Sequence, residues 1–248
     1  MPQFTSRDGT RLAYEATPGA GPGVVFLGGF RSDMTGTKAL DLEAWCRAEG
    51  RAYLRLDYSG HGASDGAFED GTIGRWAADA AHVIEVAADG PQVLVGSSMG
   101  GWIALLLARA RPARVAGLVT VAAAPDFTER GFWAGFSAGE RETLLRDGRI
   151  SVPSDYEAPY VVTRDLIEEG RSQLVMDAPL HLPFSTRFLQ GTADDAVPAE
   201  WATALLDHAT GPDMALTLVK DVDHRFSGPE ELALIRRSVG EVLARGSA

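Results

Sequence analysis

Gln92-Val93-Leu94-Val95-Gly96-Ser97-Ser98-Met99-Gly100-Gly101-Trp102 is the stretch on which the fold turns. Gln92 to Gly96 reads as a buried strand, and Ser98 to Arg111 repeats apolar residues at helical spacing. Between them stands G-x-S-x-G, from Gly96 to Gly100. A chain that turns this sharply from strand to helix holds the central serine in a strained backbone, with its hydroxyl presented at the strand's end. Gly96 and Gly100 leave room where a Cβ would clash, and Gly101 lets the helix start pack close to the sheet. The helix N-terminus sets positive partial charge where an attacked carbonyl develops negative charge. Ser98 is the candidate nucleophile, and Ser97 is expected to be a packed neighbour. In a chain with 28 glycines such a match arises easily by chance, so its surroundings must carry the assignment.

Outward from this junction, short apolar runs alternate with helical ones. Arg11 to Ala16, Val24 to Leu27, Ala52 to Leu56, Val115 to Val121, Thr186 to Gln190 and Ala215 to Val219 read as strands. Ala39 to Glu49 and Thr72 to Ala88 read as helices, and Ser227-Gly228-Pro229-Glu230 reads as a capping box opening a last helix. The alternation implies a mostly parallel central sheet with helices on both faces. The length of 248 residues suits a single domain, 1–248. From Pro125 to Pro183 the rhythm breaks, and Phe127, Phe132, Trp133, Phe136, Tyr156 and Tyr160 gather there. The expectation is a small helical cap, an insertion over approximately residues 126–184, lying above the strand ends.

A serine hydroxyl needs a base to attack at neutral pH. In this arrangement the order along the chain is serine, acid, histidine. His61 and His82 precede Ser98, while His181 and His208 sit near the cap's end and at a helix end. His224 follows the last strand, where a base must hang over the serine. The acid should follow the preceding strand, where Gly191-Thr192-Ala193-Asp194-Asp195 offers Asp194, with Asp195 expected to be solvated or capping. Asp126, after an earlier strand, is the alternative acid. The oxyanion-binding N–H groups are expected from Met99, next to the nucleophile, and from Phe30 in Gly28-Gly29-Phe30-Arg31-Ser32.

The net charge of −11 argues against nucleic acid, because phosphate neutralisation needs clustered Lys and Arg. The one cysteine, Cys46, supports neither an internal disulfide nor a metal site and reads as a small buried hydrophobe. No metal and no cofactor are expected. The first residues show no signal peptide, and no apolar run is long enough for an integral membrane segment, so the expected location is cytoplasmic.

Asp57-Tyr58-Ser59-Gly60-His61-Gly62-Ala63-Ser64 resembles the D-x-x-G-x-G-x-S segment common in α/β hydrolases. Finer features point to one branch. They are Gly36-Thr37-Lys38-Ala39, Asp89-Gly90-Pro91-Gln92, Val152-Pro153-Ser154 followed by Tyr156, Val197-Pro198 and Asp223-His224-Arg225. In this order they are similar to the α/β-hydrolase branch of mitochondrial palmitoyl-protein thioesterases and acyl-glucuronide esterases. The resemblance implies the α/β-hydrolase fold and hydrolysis of carboxylic esters or acyl thioesters. The substrate would be a small-molecule ester or thioester, or an S-acylated protein. It maps the triad onto Ser98, Asp194 and His224, while the mitochondrial address does not carry over. Gly28-Gly29 stands where His-Gly is common in the fold, which changes loop packing and leaves the backbone donor. Trp102, Phe132, Trp133 and Arg225 are the candidate substrate-binding side chains, and Arg31 reads as a surface charge. The same chemistry would also serve an acyltransferase or a C–C hydrolase, and the same fold a non-catalytic small-molecule receptor.

Overall fold

The computed structural model describes residues 2–153 and 159–245. Its strands are β1 (Gln3–Arg7), β2 (Thr10–Thr17), β3 (Ala20–Leu27), β4 (Arg51–Leu56), β5 (Gln92–Ser97), β6 (Val115–Val121), β7 (Arg149–Val152), β8 (Tyr160–Thr163), β9 (Leu180–His181), β10 (Thr186–Gly191), β11 (Ala209–Thr210) and β12 (Met214–Val219). The helices are α1 (Thr37–Ala48), α2 (Ile73–Ala87), α3 (Met99–Ala110), α4 (Ala138–Asp147), α5 (Arg164–Gly170), α6 (Ala199–His208) and α7 (Pro229–Arg245).

Eight strands form the central sheet in the order β1-β2-β4-β3-β5-β6-β10-β12. The β1–β2 hairpin is antiparallel, β2 pairs antiparallel with β4, and every pairing from β4 to β12 is parallel. This is the mostly parallel α/β-hydrolase sheet that the strand–helix alternation implies. Successive side chains of a strand point to opposite faces. Val93 and Val95 of β5, with Val24, Phe26, Val119 and Val121, meet Ala39, Leu42 and Cys46 of α1 and Ile235, Val239 and Val242 of α7. Leu94, with Val25, Leu27 and Leu118, meets Trp76 and Val83 of α2 and Ile103 and Leu107 of α3. Burial on both faces is why the middle strands read as unbroken apolar runs rather than alternating ones. Cys46 is buried in the first of these layers.

After β6 the chain enters a segment whose Phe127, Phe132 and Tyr160 pack against Phe30 in the loop after β3. A π-helical turn at Thr128–Trp133 leads into α4, which opens on a capping box between Ser137 and Glu140 and closes at Gly148, φ 77°. The sequence indicates only helical patterns here, whereas the structure also holds the antiparallel hairpin β7–β8, register Arg149↔Thr163 to Val152↔Tyr160. Its strands are four residues each and mostly part-exposed, so they carry no buried run to read. Ser154 and Tyr156 lie outside the described residues. The last helix begins at Pro229, with Glu230 and Glu231 in its first turn.

Candidate active site

Ser98 stands between β5 and α3 with φ 55° and ψ −120°, a left-handed conformation that costs a non-glycine residue about 1–3 kcal/mol. The surroundings enforce it. A Cβ on Gly96 would lie 2.3 Å from the Gly100 carbonyl oxygen, and one on Gly100 would lie 2.0 Å from that of Leu27. One on Gly101 would lie 2.7 Å from the Ala123 Cβ. The Ser98 N–H donates to the Val121 carbonyl at 2.9 Å, and its own carbonyl accepts from Gly101 and Ala124 at 2.9 and 3.1 Å. These bonds pin the elbow to β6 while the hydroxyl stays partly exposed. Ser97 is buried in β5.

His224 Nε2 lies 3.0 Å from Ser98 Oγ, and its Nδ1 lies 2.8 Å from Asp194 Oδ2. The three residues thus form one hydrogen-bonded chain. The Asp194 carboxylate has no exposed surface, whereas the imidazole is 28% exposed and open to substrate and water. Asp194 Oδ1 accepts from the Ala196 and Val197 N–H groups at 3.0 and 2.7 Å. Oδ2 also accepts from Gln190 Nε2 at 2.9 Å. Burial opposes the charge, but the bonds from His224, Val197 and Gln190 outweigh it and hold the carboxyl below its ordinary pKa. Asp194 is therefore ionised at neutral pH, the state that orients an imidazole and stabilises an imidazolium. Asp195 is exposed.

The competing candidates are engaged elsewhere. The Asp126 carboxylate accepts from the Val175 and Met176 N–H groups at 2.9 and 3.0 Å, tying the cap's return segment to the end of β6. His82 pairs with Thr5, His181 with Thr210, and His208 with the Val175 and Ala178 carbonyls. His61 is buried among Tyr58, Phe68 and Trp76, and burial lowers its pKa to about 4, so it is neutral at pH 7. The segment around it is scaffolding. Asp57 accepts from the Met34 and Ala63 N–H groups at 2.6 and 2.9 Å, and a Cβ on Gly62 would lie 2.1 Å from its Oδ2.

The Gly28–Ser32 loop passes beside the serine, since a Cβ on Gly29 would lie 3.3 Å from that of Ser98. Met99 follows Ser98 as the first residue of α3, where helix N–H groups lack intrahelical acceptors. Phe30 is the hub of an aromatic cluster, with the rings of Phe68, Trp76, Phe127, Phe132 and Tyr160 between 4.8 and 5.9 Å away. Phe132 belongs to this cluster, and Trp102 meets it through Phe127, their rings 5.6 Å apart. Trp102 is completely buried, with its indole N–H on the Gln173 carbonyl at 3.1 Å. It has no surface for a ligand to touch and instead ties α3 to the cap. Trp133 has the Arg141 and Arg171 guanidiniums 5.1 and 4.7 Å from its ring, a pair of cation–π contacts. Arg225 is exposed. Arg31 is exposed too, but it is engaged: it packs on Phe68 and Tyr160 and donates to the Pro159 carbonyl at 3.3 Å. Gln190, which holds Asp194 from below, escaped sequence reading because a glutamine inside a strand carries no signal of its own.

A mostly parallel sheet that offers serine, aspartate and histidine in this order, after β5, β10 and β12, defines an α/β-hydrolase. The chain belongs to the α/β-hydrolase family whose model is described as serine aminopeptidase, S33, which matches residues 24–166. The mitochondrial palmitoyl-protein thioesterase ABHD10 of Bos taurus is 37% identical over 97% of this chain and 79% of its own length. The crystal structure of a protein from Agrobacterium vitis S4 superposes with a TM-score of 0.93 at 38% identity, covering 98% of both chains. Mouse α/β-hydrolase domain-containing protein 10 superposes at 0.91 with 31% identity, again over 98% of both. The protein is a hydrolase of this family.

Proposed function

We propose that the protein is a serine esterase and acyl thioesterase that works through a Ser98 acyl-enzyme. The observation that carries this reading is the imidazole of His224, held between Asp194 Oδ2 at 2.8 Å and Ser98 Oγ at 3.0 Å. In the proposed cycle, Nε2 takes the hydroxyl proton as Oγ attacks the acyl carbonyl. The N–H groups of Met99 and Phe30 receive the oxyanion, a contribution worth about 3–4 kcal/mol per donor in acyl-transfer enzymes. The C–O or C–S bond then breaks. His224 gives that proton to the leaving alkoxide or thiolate, the thiolate needing it less. Water enters, gives a proton to Nε2 and attacks the acyl-enzyme, releasing the carboxylic acid and returning the proton to Ser98.

The aromatic rings beside the serine favour an apolar acyl chain. The likeness to palmitoyl-protein thioesterases favours a thioester, with an S-acylated protein as one form of it. No helix among the described residues is long and apolar enough to cross a membrane. Among the same residues no group of three or more His, Cys, Asp or Glu side chains could hold a metal ion.

The test is a matrix of short and long acyl chains, each as an oxygen ester and as a thioester, assayed side by side with and without a competing alcohol. Release of free acid, with the higher kcat/KM on thioesters, is the expected result. Acyl transfer to the alcohol in preference to water would make the protein an acyltransferase. Tight binding without turnover would make it a receptor.

A further inference from the structure

We propose that Lys38 is a positioning residue for the base, locking the peptide that joins Arg225 to Phe226 so that His224 stays over Ser98. The inference rests on the reading of His224 as the base.

Two features of the loop after β12 call for such a lock. Phe226 is completely buried against α1 and the inner face of the sheet, yet its φ is 47°, a region that bulky residues avoid. Asp221, three residues before the histidine, has φ 61°. The side of the loop toward Asp194 is held by backbone, with the Ala193 N–H on the Val222 carbonyl at 3.0 Å and the Asp221 N–H on Thr192 Oγ1 at 2.9 Å. Asp223 Oδ1 accepts from the Arg225 N–H at 3.1 Å and, at 3.4 Å, from that of Phe226. Those contacts leave the Arg225 carbonyl for another partner, and Lys38 Nζ is that partner.

The geometry gives this hydrogen bond leverage. The Arg225 carbonyl and the Phe226 N–H belong to one rigid peptide plane, so fixing the oxygen fixes the rotation that φ of Phe226 requires. If the plane turned over, Phe226 would relax into an allowed region and the imidazole two residues upstream would swing with it.

Lys38 is itself firmly placed. It lies in the first turn of α1, the helix end that disfavours cations, so helix stability does not account for it. Helix α1 is clamped to α7 by Arg236 on Asp41 at 2.5 and 2.7 Å. It also follows directly on the Gly28–Gly36 segment that carries Phe30, so one amine joins the two loops that flank the serine. Burial of the amine, opposed by the charge of Asp223, lowers its pKa to about 8.

Lys38→Met keeps the stem and removes the donor, and Lys38→Arg keeps a donor. On the best substrate of the matrix, Lys38→Met should lower kcat about 10- to 100-fold, as a misplacement of up to about 1 Å of a catalytic group does, with KM unchanged. Lys38→Arg should recover a substantial part of that loss. A crystal structure of Lys38→Met should show the 225–226 peptide rotated and the His224–Ser98 bond lengthened. Wild-type kcat in Lys38→Met, or an unmoved peptide, overturns the inference while Ser98→Ala is still inactive. Undiminished turnover in Ser98→Ala would overturn the reading of the triad itself.

Discussion

Ser98→Ala should lower kcat on any accepted ester or thioester by about 10⁶-fold, the loss seen when a triad serine is removed. The expectation has a specific basis. Among the described residues, Ser98 is the serine hydroxyl in contact with the imidazole that Asp194 orients. No second hydroxyl or thiol among the described residues is hydrogen-bonded to that imidazole. The fold should survive, because the elbow is shaped by Gly96, Gly100 and Gly101 and by backbone bonds to Val121 and Ala124, none of which involves the hydroxyl. The imidazole, 28% exposed, can turn to water for its lost partner. The measurement is kcat alongside a thermal melt, with Tm unchanged within a few degrees. Loss of activity together with a collapsed Tm would say only that the elbow was broken.

Asp194→Asn should cost about 10⁴-fold in kcat, through the wrong imidazole tautomer. Both oxygens of Asp194 accept: Oδ1 from Ala196 and Val197, Oδ2 from His224 and Gln190. An amide nitrogen placed on either side therefore faces a donor. If it faces His224, Nδ1 must become the acceptor and the ring proton moves to Nε2, where it points at Ser98. The base is then blocked while the shape of the site is kept. Asp126→Asn is the control, because its carboxylate serves the Val175 and Met176 N–H groups rather than a histidine. That substitution should lower stability by about 1–3 kcal/mol, the cost of a buried donor left without its acceptor. The kcat per folded molecule should hardly change. Reversed effects at the two positions would make Asp126 the acid.

The sequence was most legible where chemistry imposes spacing. Ser98 is flagged by glycines whose missing side chains are required by the Leu27, Gly100 and Ala123 atoms around them. Asp194 and His224 follow from strand order, since each lies just past the end of a strand. The sequence separates Asp194 from Asp126 only weakly, because both follow strands. What separates them is contact with His224 in one case and with the chain near Val175 in the other. Side-chain environment was least legible. Trp102 and Trp133 looked alike as aromatic lining, yet one is sealed in the core and the other is held by two arginines. The β7–β8 hairpin and Gln190 left no pattern to read. Lys38 stood out only as part of a resemblance, since nothing local says that a lysine in α1 reaches the Arg225 carbonyl, 187 positions away along the chain.

The central claim is that a transient acyl group sits on Ser98. Mass spectrometry of protein acid-quenched during turnover of a slowly hydrolysed ester tests it directly. The account predicts a mass increase equal to one acyl group, mapped to Ser98 in the peptide spanning the elbow. The adduct should appear with wild-type protein and be absent from Ser98→Ala. Turnover with no adduct, or with the acyl group on another residue, would contradict it.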